Sequence, residues 1–277
     1  MSKYNQLKKY KKIPGFSLIE TALTLVIAGI VISLTLPMLT TAQRSNRHQI
    51  TQTHQYQLMQ ALAAYVVKHD RLPIPSTPDK RGESIDLAKD DLLTSKAIGI
   101  IPYKELGISE TMARDGHGHW FTYAVVPDLL THDSSRDLMT PKTMPNQSFC
   151  HEIVPKKMLE LKSLMGVSLL KKQSATTDFI AVILISHGSK GSGAFHPTKN
   201  EHLPISKDHF LEAKNSNNEL EFVARTKDDN SHTFEHDTFW VTRNHLLAVY
   251  GKCPCQPLPY EYATTVIKTP SPSNVLF

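Results

Sequence analysis

From Thr21 to Gln43 the chain runs for 23 residues without a charged side chain, and Leu, Ile and Val dominate the stretch from Leu23 to Leu39. A helix needs roughly 20 apolar residues, rising about 1.5 Å each, to cross the ~30 Å hydrocarbon layer of a bilayer. Lys3, Lys8, Lys9, Lys11 and Lys12 precede the run, and the first fifteen residues contain no acid. Basic residues stay on the cytoplasmic side, so the N-terminus is expected inside and everything after Arg44 outside. An ordinary secretory signal has a shorter apolar core, roughly 7 to 15 residues, and a small-residue exit such as Thr40-Thr41-Ala42. A permanent single-pass anchor is the other plain reading. Glu20 fits neither, because a carboxylate at the start of an apolar run is costly in lipid and by default marks a function.

Composition narrows the classes further. At 277 residues, 40% hydrophobic and 21% charged, the chain is neither disordered throughout, nor collagenous, nor a multi-span membrane protein. The net charge of +5 comes from 31 Lys and Arg against 26 Asp and Glu, and without the five leader lysines the two are equal at 26. The rest of the chain has no excess that favours phosphate backbones, so no nucleic-acid partner is expected.

Gly15-Phe16-Ser17-Leu18-Ile19-Glu20 resembles the leader junction of type IV prepilins and type II secretion pseudopilins. The resemblance is strong over residues 8 to 43 and weaker beyond. It implies cleavage between Gly15 and Phe16 by a membrane prepilin peptidase, followed by N-methylation of Phe16. Glu20 then stands fifth in the mature chain and is the implied assembly residue. Gly29 and Pro37 fall where the family often carries a helix-weakening glycine and a kinking proline, which makes them the implied flexibility positions. The implied partners are the peptidase, other pilin or pseudopilin subunits, an inner-membrane assembly platform and the lipid bilayer. The implied location is the inner membrane, with a cytoplasmic N-terminus and a periplasmic head, and then a pilus or pseudopilus. The segments RLPIP, GIIPYKELGI, DGHGHWFTYAV and ILISHGSKGSGAF are also similar to those of larger prepilin-like proteins, with Ile74 where a cysteine is frequent.

Beyond the apolar run, Leu58, Leu62, Tyr65 and Val66 recur at helical spacing, and no Gly or Pro lies between Thr40 and Arg71. One helix from about Phe16 to Lys68 is expected, roughly 80 Å long at 1.5 Å per residue. The division expected is a basic leader over 1–15, a spine helix over 16–70 whose first half spans the membrane, and a globular extracytoplasmic head over 71–277. Arg71-Leu72-Pro73 ends the helix, and the stretch to Gly82 reads as an exposed loop. Strand-like runs at Phe121–Val126, Phe179–Ile185, Glu221–Ala224 and Thr238–Val241 predict an α+β head built on a mainly antiparallel sheet. Asp86–Lys96 and Lys156–Leu170 read as helices.

The candidate chemistry in the head is weak. His232-Thr-Phe-Glu235-His236 matches an inverted zincin pattern, but that motif needs a helix, and here it runs into the strand-like Phe239-Trp240-Val241. His117 and His119 flank Gly118 in a turn, and Ser186-His187-Gly188 sits where a strand meets a glycine-rich loop. Neighbouring strand residues point to opposite faces, so Ser186 and His187 make a poor nucleophile-base pair. No catalytic residue, metal or cofactor is expected. Cys150 has two partners to choose from in an oxidising compartment, Cys253 and Cys255, while three free thiols or a redox CxC pair are the alternatives. The expectation is a minor pilin or pseudopilin subunit rather than a major one, because the head is larger than a repeating shaft needs. The competing class is a membrane-tethered or secreted periplasmic hydrolase using the Ser186 or His232 region.

Overall fold

The structure, a computed structural model, describes residues 15, 17–84, 97–130, 149, 155, 157–170, 179–205, 209–226 and 234–249. The chain divides into two compact units, Met1–Asn46 and Arg47–Phe277. Helix α1 (Leu18–His69) supplies the described helical residues of the first unit and enters the second.

In the first unit the apolar run is helical, and among the described residues nothing covers it. Leu18, Leu25, Leu34 and Met38 are 90%, 73%, 73% and 78% exposed. Its hydroxyls bond within their own helix: Thr21 Oγ1 donates to Leu18 O at 2.9 Å, Thr24 to Thr21 O at 2.8 Å and Thr35 to Val31 O at 3.0 Å. Such local bonds let a polar side chain sit on an apolar helix without an unpaired donor. The helix runs through both Gly29 and Pro37. Pro37 has no N–H to give the carbonyl four residues earlier, so the ladder lacks a rung there.

In the second unit the rest of α1 buries one face. Thr51, Gln55, Leu58, Met59, Leu62, Ala63 and Val66 are all buried, in steps of three and four that return to the same side of a 3.6-residue turn. The stripe includes Leu58, Leu62 and Val66 of the positions expected from the sequence, and its apolar members join one hydrophobic core with the sheet, while Tyr65, also buried, hydrogen-bonds Glu105. The sheet has strand order β1-β2-β4-β6, with β1 at Ile98–Ile100, β2 at Thr122–Val125, β4 at Ile180–Ser186 and β6 at Asp237–Thr242. All three pairings are antiparallel. In β4, IAVILIS, every residue is buried, as expected of a central strand covered on both faces. Strand β3 (Glu160–Ser163) pairs in parallel with β5 (Glu221–Ala224) to make a second, two-stranded sheet. Two short α-helices, α2 (Phe210–Lys214) and α3 (Arg243–Ala248), and three single 3-10 turns at Pro78–Lys80, Glu110–Ala113 and Pro127–Leu129 complete the described elements.

Two expectations fail. Lys156–Leu170 is not helical: its described part forms β3 and a turn, with Leu159, Leu161 and Ser163 buried while Lys162 reaches Glu221 at 2.7 Å. Gly166 adopts φ 78, and the chain folds back so that Leu169 N donates to Leu161 O at 2.9 Å. Pairing of Leu161 with Phe222 outweighs the local helical spacing. The stretch from Arg71 to Gly82 is an exposed loop only at Asp79, Lys80 and Arg81, since Leu72 to Pro78 is buried. Ser76 acts as an extra strand residue: its N–H donates to Ile100 O at 2.9 Å and its carbonyl accepts from Ile100 N at 2.7 Å. Gly99 allows this approach, for a Cβ there would lie 2.4 Å from Ser76 O. The expected helix at Asp86–Lys96 lies outside the described residues.

Candidate functional site

The first candidate is the start of α1. Ser17 O accepts from Glu20 N at 3.0 Å and from Thr21 N at 3.1 Å, which closes the first turn. Glu20 is in that turn and exposed, at the end of the helix where the backbone N–H groups favour negative charge. Gly15 is exposed, and Phe16 lies outside the described residues. The helix contains a window long and apolar enough to cross a membrane, none of it buried. A core helix of the same composition would be covered by its own domain.

The second candidate is a polar network buried in the head, built where DGHGHW meets the end of β4. The Asp115 carboxylate is fully buried. Its Oδ1 accepts from His117 N and His119 N, both at 2.9 Å, and its Oδ2 accepts from Ser186 Oγ at 2.7 Å. These bonds wind residues 115–119 into a turn that rests on α1. Gly116 N donates to Thr51 Oγ1 at 3.0 Å, and a Cβ on Gly116 would lie 2.0 Å from Arg47 O, so only glycine fits. His54 Nδ1 reaches Arg114 O at 2.7 Å from the same helix.

His187, fully buried, turns away from Ser186. Its Nε2 is 2.8 Å from Thr122 Oγ1, and its Nδ1 is 3.1 Å from Ser192 O and 3.3 Å from His236 Nε2. His236 Nε2 lies 2.9 Å from the same Ser192 carbonyl, and His236 Nδ1 lies 3.2 Å from Asn215 Nδ2. Burial pushes the His187 imidazole well below its ordinary range, helped by the neighbouring His236. Burial also lowers His236, with Glu212 acting in the opposite sense. Nearby, burial would raise the Glu235 carboxyl, but Ser189 Oγ at 2.8 Å and Lys190 Nζ at 3.2 Å outweigh it and hold it below the usual range.

Chemically, this arrangement gives the Ser186 hydroxyl to a carboxylate and leaves its neighbouring imidazole bonded elsewhere, as strand alternation predicts. Glu235 and His236 lie in an irregular segment leading into β6, not on a helix, and His232 is outside the described residues. Among the described residues no group of three or more His, Cys, Asp or Glu side chains could hold a metal ion. Cys150, Cys253 and Cys255 also lie outside the described residues. The sequence singled out His187 and His236 separately and gave no sign that they meet. Thr122, Glu212 and Asn215 carry no motif and were missed. Comparison with protein-family models, with curated proteins and with solved structures gives no match.

Proposed function

We propose that the chain is a pilin-like subunit, a minor pilin or a pseudopilin, of a type IV pilus or type II secretion system. On this reading a prepilin peptidase removes residues 1–15, Phe16 becomes the methylated N-terminus, and the apolar part of α1 holds the subunit in the inner membrane with its head in the periplasm. The observation that carries the proposal is an uncovered apolar helix that begins with one carboxylate, four residues after the glycine-phenylalanine junction.

The physical logic is charge pairing in a low dielectric. A carboxylate at the start of an apolar membrane helix is costly once it lies among lipid or neighbouring helices. Cleavage before Phe16 creates an α-ammonium, and its pairing with Glu20 offsets part of that cost. Within one helix the two groups lie about one turn apart, and a neighbouring subunit's Glu20 meets the new N-terminus equally well. The pairing therefore sets the register at which one subunit adds to the last, and head-to-tail contact of this kind propagates a filament rather than closing a ring. Gly29 and Pro37 weaken the helix between them, by about 1 kcal/mol for the glycine relative to alanine, and so let it stretch in the assembled state. Retention of Glu20 favours a subunit within the filament over a tip subunit lacking the acid. The reading assigns the head no catalytic step.

The test is Glu20→Val in cells carrying the assembly machinery. Cleavage of the leader is expected at the wild-type level, with the protein lost from sheared filaments and retained in the membrane. Incorporation at the wild-type level would overturn the assembly role.

A further inference from the structure

The buried histidines of the head belong to no step of the assembly reading, and their hydrogen-bond polarity has a consequence of its own. Asn215 binds both main-chain groups of Val223, accepting from Val223 N through Oδ1 at 2.7 Å and donating to Val223 O through Nδ2 at 2.9 Å. That fixes which end of the amide is which. The remaining Nδ2 hydrogen points to His236 Nδ1, so this nitrogen carries a lone pair. The ring's proton is then on Nε2 and is donated to Ser192 O. A second proton on Nδ1 would set N–H against N–H in a buried site, which the closed geometry does not tolerate.

We propose that His236, held at Nδ1 by Asn215 and at Nε2 by the Ser192 carbonyl, is an acid-operated latch on the loop from Gly188 to Ile205: a proton on Nδ1 drives the ring off Asn215 and so withdraws Nε2 from Ser192. The loop is secured through Ser192, whose carbonyl accepts from His236 Nε2 and lies 3.1 Å from His187 Nδ1, and through Pro197, whose carbonyl accepts from Trp120 Nε1 at 3.2 Å. Within it, Ala194 N donates to Gly191 O at 3.0 Å and Leu203 N to Ala194 O at 2.7 Å. The groups around the latch have defined roles. Thr122 from β2, His119 from the DGHGHW turn and His202 from the loop surround His187, and the two histidines disfavour charge on it. Glu212 and Glu235 favour charge on His236, and His209 opposes it. Glu212 is the carboxylate that most favours charge on His236. It is 2% exposed, and its Oε2 accepts no hydrogen bond although His209 Nδ1 is 3.5 Å away. Burial holds His236 below its ordinary value of 6.5. The closed state therefore binds fewer protons than the open one, and its advantage is complete above that pH and declines as the pH falls below it.

The experiment uses the full chain in detergent micelles with nitrogen-labelled histidine. At neutral pH, long-range proton–nitrogen spectra should show His236 with a bare Nδ1 and a protonated Nε2; a proton on Nδ1 would overturn the proposal. Hydrogen exchange, corrected for its intrinsic pH dependence, should then show protection of the Ala194 and Leu203 amides falling about tenfold between pH 7.5 and pH 5.5. The amides of β2 and β4 should keep theirs. A uniform fall across the sheet would mean ordinary acid unfolding and would also overturn it. His236→Gln can accept from Asn215 and donate to Ser192 without titrating, and it should flatten the loop's pH response. An unchanged response in that variant would contradict the latch, and if the variant does not fold the wild-type tautomer still decides.

Discussion

At the scale of single residues, the head depends on a few places where only one side chain fits. Gly116 is the sharpest. A methyl group there meets the Arg47 carbonyl at 2.0 Å, a backbone atom that cannot swing aside, and displacing the turn also breaks the Gly116 N to Thr51 bond. Gly116→Ala should therefore destabilise the head by about 2–3 kcal/mol, lowering Tm by roughly 5–10 °C in a protein of this size. Gly118→Ala is the control: its φ is 88 but open space surrounds it, so only backbone strain of about 1–2 kcal/mol applies. Thermal unfolding followed by circular dichroism checks both, and equal Tm losses would contradict the steric account. The sequence showed glycines 116 and 118 in a turn and could not rank them, because what distinguishes them is a helix carbonyl contributed from about seventy residues earlier. Asp115 was hidden for the same reason, since an isolated acid in a polar turn does not reveal that its carboxylate is buried against Ser186.

At the scale of elements, legibility tracks how local the organising force is. The strand Glu221–Ala224 occurs where it was expected, and Thr238–Val241 and Phe179–Ile185 differ from the observed strands by only one or two residues at their ends. Runs of β-branched and aromatic residues carry this information in themselves. The helix read from Phe16 to Lys68 is observed from Leu18 to His69, because its second half pairs an apolar stripe with an unbroken run free of Gly and Pro. Lys156–Leu170 misled for a physical reason. Its leucines also fit a helix, and parallel pairing to a strand sixty residues later decides otherwise. Ser76 is a similar case, a polar residue that becomes buried because it completes the free edge of β1. The element on which the sheet most depends is β4, which pairs with β2 on one side and β6 on the other. Ile183 lies at its middle, fully buried between Ala124 and Trp240 in register. Ile183→Ala should cost about 2–5 kcal/mol through lost burial and the cavity left behind. Denaturant unfolding that gives less than ~1 kcal/mol would contradict the central place assigned to this strand.

For the whole molecule, one chain carries both an apolar helix with one early carboxylate and a head that has its own core. The helix surface between Leu18 and Leu39 has no partner among the described residues, and a lipid environment or neighbouring helices would satisfy it. The proposed chemistry begins only when the leader is removed, since the amine that would pair with Glu20 does not exist in the uncut chain. The most direct measurement is mass spectrometry of the mature N-terminus, on protein isolated from membranes of cells that express a prepilin peptidase. The account predicts a chain that starts at Phe16 and bears one methyl group on its α-nitrogen. A chain that starts at Met1, or at Gln43 as ordinary secretion would leave it, would contradict the account.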